Sequence, residues 1–77
     1  MTQLRQLTNR LIAISSDWNQ YDLVPDRQKA EVRAIGSALN SSGGMAAMQA
    51  AYYEAKDRNR SASVIQGYWD GIGEWRW

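Results

Sequence analysis

The chain has 77 residues, a formal net charge of +1, and neither cysteine nor histidine. That length gives one domain, near the size at which a single apolar core supplies only about 3–5 kcal/mol. The composition excludes disulfide staples, thiolate chemistry and the usual metal ligand and general base, and the small charge gives no strong field toward nucleic acid or an anionic membrane.

Met1-Thr2-Gln3-Leu4-Arg5 leads directly into an amphipathic pattern, which predicts neither a signal peptide nor a transmembrane helix. A cysteine-free chain also fits a cytoplasmic setting. Leu4, Leu7, Leu11, Ile14 and Trp18 are spaced 3-4-3-4, the apolar stripe of a helix over about residues 3–16. Ser15-Ser16-Asp17 then offers side-chain oxygens that compete with backbone pairing and stop it. Residues 17–24 read as a loop, with Trp18, Tyr21 and Leu23 as anchors onto the core.

Pro25 suits the first turn of a second helix, over about 25–40, because its missing N–H costs nothing there. Val32, Ile35 and Leu39 form its inward face, and Ala30, Ala34, Gly36 and Ala38 are small enough for another helix to approach. Asn40-Ser41-Ser42-Gly43-Gly44 is the clearest stop, with glycine available for a left-handed cap. A third helix, 44–57, carries Met45, Met48, Tyr52 and Ala55 at 3-4-3 spacing among good helix-forming alanines.

Asp57-Arg58-Asn59-Arg60 is a polar break. Ser63 with Gln66 matches a capping box, with Ser61 as the alternative cap, and Ile65, Tyr68, Trp69 and Ile72 give the stripe of a short helix over 62–71. Gly71 and Gly73 end it and leave an aromatic tail, 72–77. No run alternates with a period of two. The expected fold is therefore all-α: one domain over residues 1–77, a small orthogonal bundle of three longer helices and one short C-terminal helix.

The aromatic C-terminus is the outstanding feature, because Tyr68–Trp77 holds three of the four tryptophans in a chain without phenylalanine. Trp69 and Ile72 lie on the stripe and read as core. Trp75 and Trp77 read equally as docking inward to close the core or as serving an interface. We take Trp75, Arg76 and Trp77, with Tyr53 as a lesser member, as exposed anchors for another protein, since Trp, Tyr and Arg dominate binding hot spots. Helix 44–57 after its tight turn has the outline of a DNA-reading hairpin, but only Gln49 near its start is suited to base edges. Lys56, Arg58 and Arg60 follow as phosphate contacts for a second reading, nucleic-acid binding. Glu54, Asp57, Asp70 and Glu74 dilute that charge. Asp70 and Glu74, one helical turn apart, form the third reading, a small-ligand or metal site, which Gly71 and Gly73 undercut by interrupting the helix.

Gly43-Gly44-Met45-Ala46-Ala47-Met48-Gln49-Ala50-Ala51-Tyr52-Tyr53 and Trp69-Asp70-Gly71-Ile72-Gly73-Glu74-Trp75 resemble segments of small uncharacterised bacterial proteins. The resemblance covers roughly the C-terminal half and carries no activity, ligand or partner. With no catalytic signature and no cofactor motif, the expectation is a small cytoplasmic helical protein that is not an enzyme. It binds another protein, or a second copy of itself, through its aromatic end.

Overall fold

The computed structural model describes residues 2–19 and 24–76. These form helix α1 (Thr2–Ser15), helix α2 (Asp26–Arg58), a 3-10 segment (Arg60–Val64) and the short helix α3 (Ile65–Tyr68). No strand occurs among the described residues. The candidate anchors Tyr21 and Leu23 lie outside them.

Helix α1 follows its stripe. Leu11 and Ile14 are buried, and Leu4, Leu7 and Ile12 pack against the same core. It stops where the serines begin: the Ser15 hydroxyl donates back to Leu11 O at 2.9 Å, and the Trp18 N–H donates to Ser15 O at 3.1 Å. Trp18 is the anchor its position suggests. Its indole N–H donates to Gln28 Oε1 at 3.0 Å, and its ring meets Tyr68 edge-on at 6.2 Å.

The two expected helices 25–40 and 44–57 are arms of one helical stretch, Asp26–Arg58, broken at a single residue. Gly44 takes φ 69° and ψ −161°, a region that essentially only glycine occupies. The break thus falls at the expected glycine pair, but the helix runs three residues further than the polar composition suggests, through Ser41, Ser42 and Gly43. Pro25 stands just outside the helix as its N-cap, with an extended ψ of 146°, and its carbonyl accepts from the Gln28 and Lys29 N–H groups. Val32, Ile35 and Leu39 on the first arm and Met48, Tyr52 and Ala55 on the second are buried. Helix α1 spans both arms: Arg5 pairs with Glu54 at 2.7 Å, and Arg10 pairs with Glu31 at 2.5 Å.

The expected helix 62–71 is corrected to a 3-10 segment, one α-helical turn and a run of tight turns. Its cap is corrected too. Asn59, not Ser61 or Ser63, starts the segment, accepting the Ser61 N–H on Oδ1 at 3.1 Å. The Asn59 Nδ2 donates to Ser15 O at 2.7 Å and to Trp18 O at 2.9 Å, so one amide ties the end of α1 to the end of α2. Ser63 lies inside the 3-10 segment and has no terminus to cap. Beyond α3 the chain doubles back: the Gly71 N–H donates to Trp75 O at 3.0 Å, and the Trp75 N–H donates to Ile72 O at 2.9 Å. Residues 72–76 are therefore a closed turn and not a trailing tail; Trp77 lies outside the described residues.

Candidate functional site

That closed turn carries the aromatic cluster into the core. Trp69 is fully buried, with its indole N–H donating to Val32 O at 2.8 Å. A helical carbonyl is normally shielded by the side chain one turn on, and here that residue is Gly36. A Cβ at position 36 would stand 2.5 Å from Trp69 Nε1 and 2.7 Å from Cδ1 and Cε2. The missing side chain is the seat for the indole. The Arg33 guanidinium, one turn away on the same arm, donates to Tyr68 O and clamps the turn from outside.

Trp75 completes the closure. It meets Trp69 edge-to-face at 5.1 Å and Tyr52 at 5.7 Å, and its indole N–H donates to Gln66 O at 3.0 Å. Only 5 % of it is exposed. The expectation of Trp75 as an exposed anchor is corrected: the reversal through Gly71 and Gly73 turns its ring inward, where an amphipathic ring with a satisfied N–H is most stable. Arg76 is exposed, but its guanidinium donates to Gly73 O and Trp75 O, at 3.1 and 2.9 Å, and stays close to its own turn.

Tyr53 is the aromatic candidate that remains on the surface among the described residues, 58 % exposed, with Val64 at 45 % as the other exposed large apolar residue. Its ring rests on Tyr52 at 5.1 Å, so an outward ring is held by an inward one. Lys56, Arg58 and Arg60 are all exposed near the C-terminal end of α2. The Lys56 ammonium sits 5.8 Å from the Tyr52 ring centroid, and Arg58 lies 3.9 Å from Glu54. Glu54 and Asp57 thus interleave with the cations instead of leaving a uniform basic face. Asp70 and Glu74 are exposed on opposite sides of the Gly71–Gly73 reversal, and no group of three or more acidic, His or Cys side chains is placed to hold a metal among the described residues.

Two open depressions flank α1. One, of about 210 Å³, lies between Leu4, Thr8, Leu39 and Ala47 under the Arg5–Glu54 pair. The other, about 390 Å³, lies beside the Arg10–Glu31 pair, with Asp17, Arg27 and Gln28. In each an ion pair already engages an arginine and a glutamate of the lining. Hydrogen bonding to Arg10 holds the Glu31 carboxyl below its ordinary value of 4.5, and Arg5 does the same for Glu54. A lowered folded value stabilises the fold above pH 4.5 and loses that contribution as pH falls through it. The melting temperature is therefore expected to fall between pH 5 and pH 3. The same pairs, being exposed, are expected to weaken in high salt at neutral pH; melting curves in both series check this.

One buried polar atom stands apart. Among the described residues, the Tyr52 hydroxyl is buried and has no hydrogen-bond partner. An unsatisfied buried hydroxyl costs about 1–3 kcal/mol. Tyr52→Phe is accordingly expected to leave stability unchanged or raise it by up to about that amount, and a clear loss in urea unfolding would place an unseen partner on the oxygen.

Gly36 as the seat of Trp69, and Asn59 as the tie between helix ends, are the residues the sequence did not single out. A small residue and a polar break were visible, but their partners lie 33 and 44 positions away. Comparison with known proteins gives no match: no family model, no curated protein and no solved structure is similar to this chain.

Proposed function

We propose that this chain is a small protein-binding module, its own copy included among the partners, with Tyr53 as the anchor. One observation carries the reading: an aromatic ring on the long helix α2 is 58 % exposed and in tilted contact, centroids 5.1 Å apart, with the buried Tyr52. An aromatic held in place from beneath loses little conformational entropy on binding, which is why such residues dominate hot spots. The role first expected of Trp75 passes to Tyr53, because Trp75 is occupied in the core. Arg76 and Lys56 supply polar rim groups on this reading, and the chain acts without catalysis or cofactor. Its setting is the cytoplasm, where a cysteine-free core needs no oxidising compartment. We take the bundle to be orthogonal, since the positive φ of Gly44 turns the second arm of α2 away from the first.

Tyr53→Ser tests the proposal. Folding is expected to change by less than about 0.5 kcal/mol, as for surface substitutions generally, while binding falls by about tenfold or more. Affinity capture with wild type and variant, together with sedimentation of the free chain, reads both. Equal retention of the same partner by wild type and variant would overturn the assignment.

A further inference from the structure

We propose that Gly44 is a hinge through which the chain exchanges its halves with a second copy, giving a domain-swapped dimer. The inference is independent of Tyr53, because it reuses the contacts that hold the single chain together.

The two arms of α2, residues 26–43 and 45–58, are separated by Gly44 alone. Two dihedral angles of one residue therefore decide between a bent and a straight helix. Moving Gly44 from φ 69°, ψ −161° to ordinary helical values restores the N–H to C=O ladder that a break interrupts. Apart from its chain neighbours and the helix's own nearby backbone, no heavy atom lies within 4 Å of the position an L-residue's Cβ would take there, so no other element packs against that position in the bend. What holds it is the set of contacts between residues 2–43 and 45–76. They include the Trp69 indole on Val32 O, the Asn59 amide on Ser15 O, and the Arg5–Glu54 pair.

A straight α2 cannot make these contacts within one chain. Its 33 residues extend about 50 Å, well beyond the 32 Å longest dimension of the folded chain. A second copy can make all of them: residues 2–43 of each chain pack on 45–76 of the other, forming two units with the native contacts. Short hinges of this kind are where domain exchange occurs. The partner must be a second copy, because it carries the matching halves.

Handedness gives a clean test. An L-alanine at position 44 disfavours the bent dihedrals, whereas a D-alanine favours them, since their mirror image is an ordinary extended conformation for an L-residue. Both place a methyl group on the same half-buried residue, and the 77-residue chain is within reach of chemical synthesis. Gly44→Ala is expected to lower the dissociation constant of the swapped dimer by about a hundredfold, roughly tenfold for each of two hinges, while the D-alanine chain does not form the swapped dimer. Because the chain has no cysteine, Arg27→Cys and Asp57→Cys give unique spin-label sites. In dimers diluted with unlabelled chain, their separation is expected to be about 45 Å along a straight helix, a distance the bent form does not reach. Tyr53→Ser leaves that dimer intact, which separates this proposal from the preceding one. A folded Gly44→Ala chain that stays monomeric, or that dimerises with the short label distance, would overturn it. If Gly44→Ala does not fold, the wild-type chain cooled at high concentration from its melting transition must give the long distance in its dimer fraction, and failure to do so also overturns it.

Discussion

Trp75→Ser is expected to unfold the chain at 25 °C. Burying a tryptophan removes a large apolar surface from water, and truncating one in a core costs about 3–5 kcal/mol. A domain of 77 residues has about that much stability in total. The substitution also takes away the edge-to-face contacts with Trp69 and Tyr52, leaves Gln66 O without its indole donor, and introduces a hydroxyl beside apolar rings. Circular dichroism at neutral pH is expected to show lost cooperative melting. Tyr53→Ser, which removes an aromatic from the surface of α2 and not from the core, is expected to melt like wild type. A Trp75→Ser chain that melts cooperatively at the wild-type temperature would mean the ring does not close the core.

Gly36→Ala reverses an ordinary expectation. In the interior of a helix, alanine for glycine gains about 1 kcal/mol. Here the new methyl would stand 2.5 Å from Trp69 Nε1, and the indole has no room to withdraw: it is fully buried, hydrogen-bonded to Val32 O and packed against Trp75. Overpacking costs about 1–3 kcal/mol, and an indole N–H pushed off its acceptor about 1–3 more. After the helix gain of about 1 kcal/mol, a net loss of about 1–5 kcal/mol is expected. Urea unfolding measures it, and a stabilised Gly36→Ala chain would show that Trp69 does not lie against this glycine. The sign of the effect is the informative part, because propensity alone predicts the opposite.

These two residues also mark where the sequence could and could not be read. The stripe Leu4, Leu7, Leu11, Ile14 was legible because helical periodicity is local. The break at the glycine pair was legible because only glycine tolerates such dihedrals. The inward faces of both arms followed for the same reasons. Trp75 was not legible: its burial depends on a reversal closed by hydrogen bonds between Gly71, Ile72 and Trp75, and a cluster of tryptophans reads equally as core or as surface. Gly36 was visible as a small residue, yet its meaning depends on an indole 33 positions later. Asn59 looked like one more polar residue in a break, since nothing local announces that its amide reaches back to Ser15. The short α3 was overread because the stripe Ile65, Tyr68, Trp69, Ile72 suits a continuous helix. The chain instead uses a 3-10 segment and turns to bring Trp69 over Gly36. For the candidate site, the exposed Tyr53 was legible only as a lesser member, and it gained weight once Trp75 had a place inside.

The claim on which the rest depends is that the aromatic C-terminus is sealed into the core through its indole hydrogen bonds. Solvent exchange of the indole Nε1 protons, followed by NMR with Trp→Phe variants for assignment, tests it most directly. The Trp69 proton is expected to exchange only through global unfolding and the Trp75 proton to be similarly slow, with that of the half-buried Trp18 faster. Exchange of the Trp69 and Trp75 protons at the rate of a free indole would contradict it.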